Sequence, residues 1–359
     1  MTAPSRGLLF TGFNKMALSC RIPASTSMHT SVPSHASRGP LAGHSMYRSL
    51  WQDSKGYQHF GGRGDAWGAV SSLQSRIAIG SVAAAFAGYY LYSREEVPYS
   101  HRTHSIMFVS MAHEASLGKA VFDMHRQEAA REGRLLPDNH PYAQLVRRVG
   151  NKIASKASDG HGGGFFKHMQ GLHWEFAVVD NHTPNAYVLP GGKVVVFSGL
   201  LEILSREDEV AAVLAHEVSH VLARHQAERM STLNIFTIIN ITFRWLFGLP
   251  VPNAAIYLGV FLPYARRAEH EADALGLSIM SRACYDPTAM PSMLAKLSRL
   301  EAQAEAQTGQ VPAFLRTHPL TSSRVDLVKE QVPAASKLYN DSGCAAQRGF
   351  FSRGAEFMR

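Results

Sequence analysis

The stretch Ala215-His216-Glu217-Val218-Ser219-His220-Val221 decides how this chain is read. It is HExxH inside an apolar run with helical spacing. Positions four apart lie on one face of an α-helix, so His216 and His220 can point two imidazole nitrogens at one Zn²⁺. Glu217, one residue round, can take a proton from a water on such an ion without being a ligand. Working outward, Ser205 with Asp208 reads as a capping box, and Glu207 and Asp208 sit near the positive helix end. Val210, Val213, Leu214, Val221 and Leu222 form an apolar stripe. The bland alternative is two satisfied histidines on a core helix, and the intervening glutamate at this spacing weighs against it.

A metal held by two histidines needs a third protein donor. The pattern that continues along the same helix requires glycine at 223 and histidine at 226, but the chain has Ala223 and Gln226. A second stretch, 264–280, offers an alternative. Glu269 and Asp273, four apart, share a helix face there. The first can bind metal, and the second can accept the outer N–H of a ligand histidine and so fix its tautomer. Glu271 points roughly 200° away from Glu269 on the helical wheel, which disfavours it. His270 lacks a partner four residues away to orient it. The competing reading of 264–280 is a solvated charged face. His225, five residues after His220, is rotated by ~140° and cannot complete the site on the same helix. It is expected at the surface or behind the ligands.

With these pieces in place, HExxH followed by Glu269-His270-Glu271-Ala272-Asp273 resembles the Ste/HtpX-type family of membrane-associated zinc endopeptidases. Further segments match in order: Val97-Pro98-Tyr99-Ser100-His101-Arg102, Ala115-Ser116-Leu117-Gly118, the run from Asn185 to Leu201, Tyr285-Asp286-Pro287, and Thr317-His318-Pro319 with Ser323-Arg324. The resemblance implies a zincin-like α+β domain, mainly α, with a short β-sheet. It also implies one Zn²⁺ on His216, His220 and Glu269, with Glu217 as general base and Asp273 behind a ligand histidine. His318 would stabilise the oxyanion from the cleft. A substrate polypeptide would add as a β-strand along Asn185, Gly192, Lys193, Val194 and Val195, with Lys193–Phe197 as the edge strand.

The chain has 359 residues, is 45% hydrophobic and 18% charged, and can bury one substantial core or two small ones. Its net charge of +8 raises the question of nucleic acid. The basic residues are scattered, however, and no basic-aromatic stripe appears, so no nucleic acid is expected. Residues 1–50 carry Arg6, Lys15, Arg21, Arg38 and Arg48 and no acid before Asp53, the composition of a mitochondrial transit peptide. A linker follows over 51–76. Residues 77–93 are expected to cross the membrane once, flanked by Arg76 and Arg94 and lined with Tyr89, Tyr90 and Tyr92.

The peptidase-like domain is expected over 94–335. It would include an apolar helical hairpin at 234–263 that packs on the domain or dips into the bilayer, and a polar tail would occupy 336–359. These features together point to the mitochondrial inner membrane, with the domain facing the intermembrane space. Lipid and polypeptide are the expected partners, and self-association is left open. Cys20, Cys284 and Cys344 make neither a disulfide framework nor a metal cluster, and a Cys284–Cys344 bridge is not decided by sequence.

Overall fold

The computed structural model describes residues 50–52, 58–60, 73–97, 99–105, 108–159, 167–169, 172–248 and 250–346. It divides into two units, Met1–Ser72 and Leu73–Arg359. In the first unit, β1 (Leu50–Gln52) and β2 (Gln58–Phe60) pair antiparallel, so part of the expected linker is strand. The transit-peptide composition before Leu50 lies outside the described residues.

The second unit is built around Lys193-Val-Val-Val-Phe197, whose apolar run from Val194 on marks a strand covered on both faces. It forms β7 (Lys193–Phe197), the centre of a three-stranded sheet ordered β5-β7-β6. Here β5 (Glu175–Val179) runs parallel to it and β6 (Ala186–Leu189) antiparallel. Successive side chains go to opposite faces. Val194 and Val196 enter the main core, whereas Val195 joins Phe122, Ala129, Ala177 and Val179 under α2 (Met111–Arg131). Gly118 makes the close approach on that side, since a Cβ there would lie 1.9 Å from the Pro190 carbonyl oxygen.

One expectation is overturned here. Lys193, Val194 and Val195 are not on an edge, because β7 has a partner on each side. The edge strands are β5 and β6. The linking turn at Pro190–Gly192 forms as the sequence indicates, with Gly191 and Gly192 at positive φ.

The main core lies between the sheet and four helices: α3 (Pro141–Ala157), α5 (Glu207–Leu222), α8 (Leu262–Arg282) and α9 (Ala289–Thr308). A short α4 (Ser198–Ile203) leads from β7 towards α5. The start of α5 differs from expectation. Arg206 is the N-cap, and the Glu209 carboxylate, not Asp208, receives the Ser205 backbone N–H at 2.9 Å. Asp208 instead accepts the Asp286 N–H.

α10 (Ala313–Thr317) and α11 (Ser322–Asp341) close the unit. α11 continues past 335, and Cys344 is bonded to Cys284. The first part of the expected polar tail is therefore tied into the domain.

Before the core, β3 (Arg94–Glu96) and β4 (Thr103–Ser105) form an antiparallel hairpin. Preceding it, α1 (Leu73–Tyr92) exposes Ile77, Val82 and Leu91. The expected membrane crossing at 77–93 is corrected: among the described residues no helix is long and apolar enough to cross a membrane. The uncharged run of α1 begins after Arg76 and reaches only about 24 Å at 1.5 Å per residue, against ~30 Å of hydrocarbon. The apolar hairpin does form, from α6 (His225–Phe247) through Gly248 to α7 (Asn253–Ile256), a π-helical turn (Tyr257–Phe261) and α8. It leaves Ile238, Ile239, Ile241, Tyr257 and Leu258 exposed.

Candidate metal centre

α5 and α8 cross with unusually little between them. Gly276 makes this possible, because a Cβ there would come within 3.2 Å of the His216 backbone nitrogen and 3.0 Å of the Met290 methyl. One helical turn earlier on α8, Asp273 meets His216, with Oδ1 2.9 Å from Nδ1. A further turn back, Glu269 faces both histidines: Oε2 is 3.3 Å from His216 Nε2 and Oε1 is 3.6 Å from His220 Nε2. His216 Nε2 and His220 Nε2 are 3.2 Å apart. All four side chains are buried.

The loop after α10 brings His318 in beside them. Its Nδ1 lies 3.3 Å from His216 Nε2 and 3.1 Å from Glu269 Oε1, and its Nε2 lies 3.3 Å from Glu217 Oε1. The family resemblance implies that His318 lies at the cleft as an oxyanion stabiliser. In the structure its Nδ1 also sits among the donor atoms, and the four donors from His216, His220, Glu269 and His318 lie within 4.8 Å of one another.

The His216, His220 and Glu269 donors fit a divalent ion. Imidazole nitrogens and carboxylate oxygens about 2.0–2.1 Å from a tetrahedral zinc lie about 3.3–3.4 Å from each other, close to the 3.2–3.6 Å separations among these three residues. Glu217 supplies a second indication. Among the described residues its Oε1 is buried with no hydrogen bond of good geometry, only the His318 Nε2 contact at 3.3 Å, whereas its Oε2 accepts the Val188 backbone N–H at 3.1 Å.

The electrostatics separate the two glutamates. Burial pushes the Glu217 carboxyl up, and nearby imidazoles offset that only partly. Burial also acts on Glu269, but His318 and His216 outweigh it and hold that carboxylate well below its ordinary range. One acid is thus suited to carry a proton and the other to remain an anionic donor. Burial opposes charge on His216, yet Asp273 and Glu269 raise it to about 10. His220, buried and beside three other imidazoles, falls well below the usual histidine value.

Arg324 holds the acids in place, a role that its position in the sequence does not announce. It donates from Nε and Nη2 to the two Asp273 oxygens at 2.7 and 2.8 Å, and its Nη1 lies 2.9 Å from Glu269 Oε2. The signal was present in Thr317-His318-Pro319 with Ser323-Arg324, but a lone arginine on a late helix says nothing about which carboxylates it meets.

The expected substrate residues are placed as follows. Asn185 precedes β6 and its carbonyl accepts the Phe197 N–H. Gly192 turns against Trp174. Lys193 Nζ donates to the His173 carbonyl at 2.6 Å and pairs with Glu175, and Val194 and Val195 are core. The residue that does reach the centre from the sheet is Val188.

A carboxyl poised to move protons, beside clustered nitrogen and oxygen donors and under the edge of a sheet, is suited to hydrolysing an extended chain. Fold and centre together define a metallopeptidase. Residues 147–332 match the family model for peptidase family M48, and the chain belongs to that family. Among its relatives, the mitochondrial metalloendopeptidase OMA1 of Schizosaccharomyces pombe is 35% identical over 268 residues, 74% of each chain. The mitochondrial metalloendopeptidase OMA1 of Saccharomyces cerevisiae is 32% identical, over 73% of this chain and 76% of its own. A beta-barrel assembly-enhancing protease of Escherichia coli is 28% identical, over 71% of this chain and 50% of its own.

Proposed function

We propose that this chain is a zinc-dependent metalloendopeptidase of the mitochondrial inner membrane that cuts membrane-associated or misfolded polypeptides. The observation that carries the proposal is the convergence of His216, His220 and Glu269 from two helices at tetrahedral spacing, with the buried Glu217 Oε1 beside them. A bound Zn²⁺ would supply Lewis acidity for the scissile carbonyl and bring the pKa of water toward ~7. Glu217 accepts the proton of the attacking water and passes it to the leaving amine, a task suited to its raised pKa. Asp273 fixes His216 with Nδ1–H outward, so that Nε2 keeps its lone pair for the ion. His318, whose Nε2 lies beside Glu217, would donate to the developing oxyanion.

The substrate lies along β6. Val188 pairs with Val194 between the hydrogen-bonding positions of an antiparallel ladder, so its N–H and C=O point away from β7. A polypeptide strand added there places its backbone across Glu217.

The location rests on two kinds of support. The two fungal relatives are named as mitochondrial, and the first fifty residues have transit-peptide composition. The Cys284–Cys344 bridge suits the intermembrane space better than a reducing compartment. The exposed apolar side chains of α1 and of the α6–α7 hairpin supply the surface that meets the bilayer.

The test is the Glu217→Gln variant. It should retain stoichiometric zinc and lose 10²–10⁴-fold or more of its peptide cleavage, the usual range for losing a general base. Phenanthroline should abolish wild-type cleavage. Full activity in the variant, or cleavage without metal, would refute the assignment.

A further inference from the structure

His216 has Asp273 behind it, whereas among the described residues His220 has no carboxylate in contact on its outer side. Its Nδ1 instead lies 2.9 Å from Nδ1 of His225, and His225 Nε2 lies 3.0 Å from Glu271 Oε2. Both His225 and His220 are buried. The sequence argued that His225 is rotated away, and it would be on one continuous helix. α5 ends at Leu222, however, and Arg224 adopts a left-handed backbone at φ 51, which turns His225 back towards the ligands. That conformation is unfavourable for a side-chain-bearing residue. It is held by two ion pairs of the buried guanidinium, to Glu95 and Glu114 at 2.7 Å each.

We infer that His225 and Glu271 are positioning residues for His220, forming a backing relay one ring longer than the one behind His216. The inference rests on the zinc reading above. The protonation pattern follows from donor counting. If His220 Nε2 keeps its lone pair for the ion, its Nδ1 carries the hydrogen and donates to His225 Nδ1. His225 Nδ1 is then an acceptor, so its hydrogen is on Nε2, where Glu271 accepts it. The relay therefore sets both tautomers and both ring planes.

Glu271 is held in turn. Arg102 Nε donates to its Oε2 at 2.8 Å and Ser100 Oγ donates to its Oε1. The same arginine reaches Glu228 through Nη1 and Nη2 at 3.0 and 2.9 Å. Arg102 and Ser100 belong to the loop between β3 and β4, so that loop is tied to a metal ligand through Glu271 and His225. Glu271 is thus neither a ligand nor part of a solvated face.

The experiment uses the full chain with four variants: His225→Leu, His225→Asn, Glu271→Gln and Glu271→Leu. In His225→Asn the side-chain oxygen can stand where Nδ1 stood and accept from His220. Zinc affinity is measured by competition with a chelating dye, the ligand geometry by the visible spectrum of the Co²⁺-loaded protein, and folding by the thermal midpoint without metal. His225→Leu should weaken zinc binding 10–100-fold and alter the Co²⁺ bands, the usual cost of losing a partner behind a ligand. His225→Asn should recover most of both, and Glu271→Gln should fall between.

Wild-type affinity and spectrum in His225→Leu, or equal impairment of His225→Asn and His225→Leu, would overturn the inference. If His225→Leu does not fold, Glu271→Leu, which unlike Glu271→Gln leaves His225 no acceptor, decides, and an unchanged affinity and spectrum there would overturn it. Failure of the wild-type chain to bind Zn²⁺ would sink the metal reading itself, a result distinct from zinc-binding variants that behave as wild type.

Discussion

The backbone N–H of Val188 donates to Glu217 Oε2 across 3.1 Å, which ties the sheet edge to the proton carrier. Gln226 Nε2 donates to the Val188 carbonyl at 2.6 Å. Both outward groups of that residue are therefore occupied by side chains of this chain, and an incoming substrate strand must displace them.

Gln226→Ala removes one competitor for the edge. The variant should lower KM for peptide substrates by about 3–10-fold, the worth of one net hydrogen bond, with kcat little changed. Steady-state kinetics on a fluorogenic peptide would show this. An unchanged KM would argue against docking along Val188.

Asp273→Ala leaves the Arg324 guanidinium buried without its main partner. Stripping one member from a buried pair costs about 3–5 kcal/mol. Urea unfolding with chelator present would separate this loss from any effect of metal.

Glu228 gives the fold an acid-sensitive joint. Burial raises its pKa, but hydrogen bonds from His104 and Arg102 win and bring it to about 2 from an ordinary 4.5. A carboxyl whose folded pKa is depressed stabilises fully above the unfolded value and loses that contribution as pH falls through the folded one. The wild type should therefore lose about 1–2 kcal/mol between pH 4.5 and 2, after allowance for solvent screening. Glu228→Gln should show a shallower slope of stability over the same window. Equal slopes would refute the pairing.

The Cys284–Cys344 bridge closes a separation of 60 residues and joins the end of α8 to the segment after α11. Reduction, or Cys344→Ser, should lower stability by about 2–4 kcal/mol. Urea midpoints with and without reductant would measure it, and identical midpoints would show that the bridge does not form in solution.

The sequence made the metal helix legible because a single element carries it. His216, Glu217 and His220 are fixed relative to one another by the 3.6-residue repeat alone. Glu269 and Asp273 followed from the same repeat, since a ligand and its neighbour four residues on must share a face. The central position of β7 was not legible. A continuous apolar run signals burial on both faces, but strand order depends on which partners reach it, so Lys193–Phe197 was mistaken for an edge, which Ala186–Leu189 forms. His225 is no donor, as the rotation argument holds, and of the two places left to it, surface or behind the ligands, it takes the second: the helix breaks at Arg224, whose left-handed backbone is stabilised by Glu95 and Glu114, far away in the chain.

Local periodicity thus grouped, from sequence alone, His216 with His220 and Glu269 with Asp273, and the HExxH pattern set Glu217 beside the first pair. Tertiary structure decided what stands behind them: Arg324 on Asp273 and Glu269, His225 and Glu271 on His220, His318 among the donors, and Val188 at the edge. Apart from His220 and His225, five positions apart, those contacts join residues 29 to 102 positions apart. No periodicity reaches that far, because only the packing of α5, α8 and the sheet around one core brings such segments together.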